Sequence, residues 1–347
     1  MNLGVLLPAI GAILAFIFAI ALLDQWRERR HGYQLVWAVG MLFFAVGNAC
    51  EALGGLLGWS DPLYRTWYYT GAVSTAGWLG LGTAFLLGKT RYGYAYAALV
   101  LLGGLIVFAA RNRYPDVGSL PILLLIAALV VGLAIAVETY FSNERWPQIA
   151  ALAIIVASVV AAYFAFALPL VGGAVALDPR TGVPTGDAIP GQERLISLLL
   201  NIPGGLSLAL GALFSAYIFM PKKRTLDYSL DAGQKLDHFI FNVFLAIVAI
   251  PVNFIVSLPA TIAALFTGRI HSRVPATLLI AVGALITSGT DALSRLGSTD
   301  LFQVGKFVGL LLIFLGFLVS IEVFREIRIP FTGRVLRGAR TERSTTP

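Results

Sequence analysis

The sequence predicts an all-α protein, a polytopic bundle of transmembrane helices with about nine spans. Two observations carry this prediction: 58% of the 347 residues are apolar and only 12% are charged. Soluble domains carry about 25% charged residues, about twice the share in this chain. Two soluble domains of this total length would therefore lack the polar surface that they need. The mean hydropathy of +0.84 agrees. The class predicted is therefore a multi-pass membrane protein.

Ten apolar runs are long enough, or nearly so, to cross a hydrocarbon core of about 30 Å. They lie at about 3–23, 34–58, 66–88, 94–110, 118–140, 149–172, 196–219, 240–266, 275–296 and 302–324. The basic cluster of Arg27, Arg29 and Arg30 follows the first run. Because cytoplasmic loops are enriched in lysine and arginine, the cluster predicts that Met1 lies outside.

Charge decides how many of the ten runs cross. If all ten cross, the loops carry 10 lysines and arginines inside and 13 outside. If the run at 240–266 instead enters and leaves on the cytoplasmic side, the counts become 18 inside and 5 outside. Only the second arrangement obeys the positive-inside rule. It places the C-terminus in the cytoplasm.

The run at 240–266 is itself unusual for a span. Pro251, Asn253 and Pro259 interrupt it, which favours a re-entrant or broken hydrophobic hairpin. The alternative is that this run is a single kinked helix that crosses the membrane despite the charge count. We therefore expect one transmembrane domain over 1–324, with a re-entrant or inserted segment at about 225–270, and a basic cytoplasmic tail over 325–347.

Three stretches carry a resemblance to known sequences. They are residues 31–87, Asn201–Ser215 (NIPGGLSLALGALFS) and Leu279–Leu318, the last including Arg295-Leu296-Gly297. Together they resemble an uncharacterised family of bacterial multi-pass membrane proteins, over about two thirds of the chain. The 225–270 segment is an insertion relative to that pattern. The resemblance implies a bacterial cytoplasmic (inner) membrane protein and transfers no activity.

Four ionisable residues lie within the apolar runs: Glu51, Asp291, Arg295 and Lys306. Each costs about 2.5–3.5 kcal/mol to insert, so such side chains usually face protein or water. At 1.5 Å per residue, Glu51 and Asp291 lie at nearly the same depth in the outer half of the bilayer. Asn48 shares the helix face of Glu51.

These positions predict a polar cavity that opens to the outside. We expect Pro203, Gly204 and Gly205 to loosen the seventh run beside it and free carbonyl groups for a ligand. The predicted lining is Asn48, Glu51, Tyr68, Asn201, Asp291, Arg295 and Lys306.

Two structural interpretations compete with the cavity. Glu51 and Asp291 can instead neutralise Arg295 and Lys306 in an ion-pair network that serves only the fold. Tyr64, Trp67, Tyr68 and Tyr69 can form an aromatic belt at the membrane surface.

Three classes of function follow. The first is a transporter or ligand-binding membrane sensor that uses the cavity, and the alternative is a structural or assembly subunit of a membrane complex. A membrane-embedded lipid-modifying enzyme comes third, because the three histidines lie at segment edges, away from the acidic residues. We expect no enzyme activity, no cofactor and no metal site, since Cys50 is the one cysteine and no HExxH motif occurs.

The expected partner is the lipid bilayer, with a small-molecule ligand in the cavity. Arginines every few residues in the tail predict binding to anionic lipid headgroups, and we expect no nucleic-acid partner because stacking aromatic residues are nearly absent there. These arginines are Arg325, Arg328, Arg334, Arg337, Arg340 and Arg343.

Overall fold

The computed structural model describes residues 3–141, 144–230, 233, 235–267, 270–271, 273–295, 299, 301–319, 327–328 and 335–337. The helices are α1 (Leu3–Arg29), α2 (Gly32–Leu57), α3 (Asp61–Trp67), α4 (Thr75–Leu86), α5 (Gly93–Ala109), α6 (Leu120–Phe141), α7 (Trp146–Ala167), α8 (Gly191–Phe219), α9 (Leu236–Phe266), α10 (Arg273–Arg295) and α11 (Phe302–Val319). A π-helical segment, Tyr68–Ser74, joins α3 to α4 in one continuous helical rod. Two short strands, β1 (Ile327–Arg328) and β2 (Val335–Arg337), pair antiparallel.

The all-α helical bundle is confirmed. Within the described ranges, nine helices are long and apolar enough to cross a membrane. The rod formed by α3, the π-helical segment and α4 is a further apolar helical stretch, over Asp61–Leu86. The chain is a multi-pass membrane protein by this measure.

The bundle has two ends of different character. One end, which we call the basic end, holds the links around Arg30, Lys89 and Lys223. Trp146 at the start of α7 donates from Nε1 to the carbonyl of Gly88 there, at 3.1 Å. The other end, which we call the cavity end, holds the links 58–60, 114–119 and 168–190.

Helix α8 runs through the centre of the bundle and packs against α4, α5 and α10. The close approach to α4 depends on glycine: a Cβ at Gly204 would overlap the backbone of Ala76, and one at Gly80 would overlap the backbone of Gly204. Small residues let membrane helices approach through their backbones, which maximises van der Waals contact. The expected loosening at Pro203-Gly204-Gly205 is wrong, because α8 continues unbroken from Gly191 to Phe219.

The segment at 240–266 is one helix and does not reverse, so the expected broken hairpin is wrong. Pro251 and Pro259 lie inside α9 without ending it. Proline at these positions removes two backbone donors, and the exposed side of the helix accommodates both rings.

Both neighbours of α9 nevertheless lie at the basic end, as the charge count requires. His271 stacks on Phe219, the last residue of α8, with ring centroids 4.9 Å apart, and Val274 of α10 packs with Tyr217 and Met220. Near its start, α9 places Phe239 against Tyr140 at the end of α6, with ring centroids 5.2 Å apart. Its far end is close as well, because five residues from Phe266 to His271 span at most about 17 Å.

The polar face of α9 is covered by the link that follows α8. Asn253, which is fully buried, accepts from the backbone nitrogens of Thr225 and Leu226 at 2.8 and 3.1 Å. Ser257 accepts from the backbone nitrogen of Lys223 at 2.9 Å. The link therefore runs along α9 and holds the helix across the basic end.

Candidate functional site

A cavity of about 1210 Å³ lies at the cavity end, between the helices and the 168–190 link. Its walls come from α2, the rod of α3 and α4, α5, α8, α10 and α11, and residues 176–187 of the link form its cover. Six of the seven residues predicted from the sequence line it: Asn48, Glu51, Tyr68, Asn201, Asp291 and Lys306. The seventh, Arg295, is the last residue of α10, and its side chain lies outside the described part of the chain.

Glu51 is bonded to three other side chains in the cavity wall. The residue is 4% exposed, and its carboxylate accepts from Trp67 Nε1 at 2.7 Å and Gln303 Nε2 at 3.0 Å. Lys306 supplies the counter-charge, with Nζ 2.5 Å from Oε2. Three helical elements, α2, α3 and α11, are therefore held together by one carboxylate. One pair of the expected ion-pair network, Glu51 with Lys306, therefore lies in the wall of the cavity.

Among the described residues, the basic partner of Glu51 is Lys306, one of the two bases that the sequence placed in the ion-pair network. Lys306 follows Phe302 by one helical turn and its ammonium lies 5.0 Å from that ring centroid. A cation over an aromatic face is stabilised further when water is excluded.

The π-helical segment presents a carbonyl group to α8. The Ala72 carbonyl accepts from Ser197 Oγ at 2.8 Å and from the amide of Asn201. A π-helical turn displaces carbonyls from the regular i→i+4 ladder, and such turns are frequent at functional sites. Asn201 is thereby fixed in the cavity wall, with its amide oriented by Ser197 Oγ at 2.9 Å.

Of the four aromatic residues considered for a surface belt, three are buried and only Tyr69 is partly exposed. Tyr64, Trp67 and Tyr68 are 0%, 5% and 3% exposed, so their rings face the interior. Tyr64 donates its hydroxyl to the Thr185 carbonyl, and the Tyr68 ring lies against Gly186. These contacts attach the cover of the cavity to α3 and to the first residue of the π-helical segment.

The cover is also bonded to the link between α10 and α11. Thr299 donates to Asp178 Oδ2 at 2.6 Å and shares a hydrogen bond of 2.8 Å with Thr181. The hydrogen bond from Thr299, with backbone donors at Arg180 and Thr181, lowers the pKa of the Asp178 carboxyl.

Two buried charged residues at this end were missed from the sequence. Arg65 is 9% exposed and donates to the Ala165 carbonyl at 2.6 Å and the Leu168 carbonyl at 2.5 Å, which caps the end of α7. Glu193 is fully buried, and neither of its carboxylate oxygens has a hydrogen-bond partner among the described residues. Glu193, Ser197 and Asn201 are spaced four residues apart, so they form one polar stripe on α8 that ends in the cavity.

Residues of α10 form the remaining polar wall. Thr287, Ser288 and Asp291 line the cavity, and Ser288 is exposed. Within the described residues, no group of three or more His, Cys, Asp or Glu side chains could hold a metal ion. Chemically, the site offers hydroxyl, amide and carboxylate groups and a lysine, together with aromatic faces, which suits the binding of a polar or charged molecule.

Comparison with known proteins gives no match: no protein-family model, no curated protein and no solved structure aligns significantly with this chain.

Proposed function

We propose that the protein is a transporter or a ligand-binding membrane sensor whose ligand occupies the cavity. The observation that carries the proposal is a large cavity lined by ionisable and amide side chains from several membrane-crossing helices. Ligand pockets typically enclose about 300–1,000 Å³, so the cavity is large enough for a small molecule. Charged side chains at membrane depth are costly and mark ligand or ion pathways.

The orientation follows from charge. The proposal places the basic end in the cytoplasm of a bacterial cell and the cavity end outside. Helix α9 then lies in the plane of the cytoplasmic leaflet, because the contacts near both of its ends are at the basic end. Its uncovered apolar side, where Phe241, Phe244, Ile247 and Ile255 are 62–67% exposed, would face the lipid. The six tail arginines, of which Arg328 and Arg337 fall in β1 and β2, would bind anionic headgroups of the same leaflet.

Labelling of introduced cysteines tests this topology. In a Cys50→Ser background, Thr185→Cys should react with an impermeant maleimide on intact cells. Asp237→Cys and Thr267→Cys, at the two ends of α9, and Ser344→Cys in the tail should react only after lysis. Reaction of Thr267→Cys, but not Asp237→Cys, in intact cells would show that α9 crosses the membrane.

Water access tests the cavity itself. Asn201→Cys, in the same background, should react from outside with a small membrane-impermeant methanethiosulfonate, because Asn201 lines the cavity. The matched control is Leu208→Cys, two helical turns further along α8, 6% exposed and packed in the bundle core. If Thr185→Cys reacts while Asn201→Cys stays as inert as Leu208→Cys, the cavity is closed to external ligands and the proposal fails.

One observation favours the alternative role as a structural subunit. Glu51 is fully engaged by Trp67, Gln303 and Lys306, so its charge is accounted for without a ligand. Co-purification of a stoichiometric membrane partner, combined with a closed cavity in the labelling assay, would select that role.

A further inference from the structure

The cavity continues into an apolar groove on the outer surface of the bundle. Leu198, Ile202 and Leu206 line the cavity at intervals of four residues, so they form one stripe along α8. Each of the three is only partly buried. The stripe therefore forms the floor of a groove that faces the surroundings of the bundle.

Two helices form the walls of the groove. On one side, α5 packs on α8 where Gly103 meets Pro203, and it contributes Leu102 and Ile106, which are 39% and 36% exposed. On the other side, α10 packs on α8 where Ser288 meets Gly205. The helix positions of these contacts flank the stripe on α8, so neither helix covers it.

The two walls differ in chemistry. The α5 wall is apolar, whereas the α10 wall presents Ser288, Asp291 and Ala292. A ligand in the groove therefore meets hydrocarbon on one side and hydrogen-bonding groups on the other.

The upper end of the groove is basic. Arg113, Arg180 and Arg194 line the cavity near the cover. Arg194 lies 3.5 Å from Asp187 and its guanidinium is 5.2 Å from the Tyr114 ring centroid, so it is held at the mouth. Asp178 and Asp187 lie among these arginines, so the mouth can pair with both charges of a zwitterion or with a phosphate.

The length of the groove matches one leaflet. From Arg194 to Leu206 the rise along α8 is about 18 Å at 1.5 Å per residue. Half of a hydrocarbon core of about 30 Å is about 15 Å. One acyl chain can therefore extend along the stripe while its headgroup stays among the arginines.

We propose that the groove binds an amphiphile with a phosphate-bearing headgroup and an acyl chain, and that this amphiphile reaches the cavity sideways from the membrane. The proposal rests on the proposed function, since it names the class of ligand for the same cavity. The headgroup lies at Arg113 and Arg194, the chain lies on Leu198, Ile202 and Leu206, and Asp291 faces the glycerol region.

A photo-crosslinking experiment tests the proposal. The full chain is reconstituted in nanodiscs that contain a small fraction of phosphatidylglycerol with a diazirine in its acyl chain, and crosslinked peptides are identified by mass spectrometry. We expect crosslinks to concentrate on 102–106 and 198–206 relative to the exposed faces of α6 and α7. Uniform labelling of all lipid-facing helices would overturn the proposal.

Matched variants make the test specific. Ile202→Trp fills the floor of the groove and should lower crosslinking there at least fivefold, whereas Leu210→Trp should leave it unchanged. Leu210 is the control because it lies on α8, is 42% exposed and does not line the cavity. Ala292→Trp, on the α10 wall, gives a second obstruction if Ile202→Trp unfolds.

Competition experiments distinguish binding through the phosphate alone from binding that also requires the acyl chain. Excess lysophosphatidylglycerol should displace the probe, and inorganic phosphate alone should not. Displacement by phosphate alone would identify a soluble phosphate ligand and overturn the amphiphile. If Asn201→Cys is accessible to water but crosslinking is uniform, the lipid proposal fails while the cavity function stands; if Asn201→Cys is inert, the cavity function itself fails.

Discussion

Helices α8 and α9 have similar lengths and opposite environments. They contain 29 and 31 residues, and both contain proline. The most apolar window of α8 is 67% buried, whereas that of α9 is 22% buried, although the hydropathy of α9 is higher, 2.5 against 1.7. The helix at the centre of the bundle is therefore less hydrophobic than the helix that lies across the basic end.

Small residues explain the difference. Gly204, Gly205 and Gly211 on α8 meet neighbouring backbones or side chains so closely that a Cβ would clash. Helix α9 instead carries large exposed side chains such as Phe241 and Phe244 and makes its polar contacts through one stripe. In an apolar environment, close packing selects the central helix, because hydrophobicity gives no preference for protein over lipid.

The buried charge of the bundle gives the largest expected effect. Glu51→Gln or Lys306→Gln alone leaves an uncompensated charge at a nearly inaccessible site and should lower the free energy of unfolding by about 3–5 kcal/mol. The double variant should recover most of that loss. Thermal stability in detergent, treated as a mutant cycle, measures the coupling.

An exposed pair supplies the comparison for this cycle. Asp187→Asn breaks the contact with Arg194, in which the aspartate side chain is 71% exposed, and should cost about 1 kcal/mol or less. If the Glu51 and Lys306 variants behave like Asp187→Asn, water solvates the pair and the cavity is wetter than its burial indicates.

The next effect concerns close packing in α8. Gly204→Val should lower the free energy of unfolding by about 3 kcal/mol, because the new side chain must displace the backbone of Ala76. Ala263→Val, at an exposed position of α9, should change it by about 0.5 kcal/mol or less. Equal effects in thermal unfolding would refute the distinction between a central and a peripheral helix.

The last effect is confined to α9 and should be the smallest for the unfolding of the bundle. Asn253 accepts two hydrogen bonds from the link and donates one, of 2.8 Å, to the Leu226 carbonyl. Asn253→Ala removes all three and should weaken the attachment of the link to α9 by about 2 kcal/mol. Because only the 221–230 link and α9 lose contacts, limited proteolysis of the link should accelerate while the unfolding of the bundle stays nearly unchanged. Ile255→Ala, on the exposed side of α9, is the control and should leave proteolysis unchanged.

The sequence identified the helices because a span needs about 20 apolar residues, and that requirement is visible in one dimension. It also identified Glu51 and Lys306, since charge within an apolar run is conspicuous. It did not pair them, because pairing depends on how α2 and α11 are rotated about their axes. Trp67 and Gln303, which donate to Glu51, were missed for the same reason.

The expectations for α9 and for Glu193 failed for the same physical reason. Pro251 and Pro259 predicted a reversal in α9, but their rings lie on the exposed side, where a missing backbone donor is tolerated. Glu193 precedes the apolar run at 196–219, whereas α8 begins at Gly191 and buries it. Both outcomes depend on which neighbours cover a residue, which a single sequence does not state.

The π-helical segment determines the direction in which all later side chains of the rod point about its axis. One additional residue in a helical turn rotates all later side chains by about 100° relative to an uninterrupted α-helix. That rotation lets Trp67 face Glu51 on α2 while Gly77 and Gly80, further along the same rod, face α8. Deleting one residue between Tyr68 and Ser74 would keep the helix but rotate its two halves relative to each other. The additional residue therefore keeps the side chains of the cavity wall and those that pack against α8 correctly oriented at the same time.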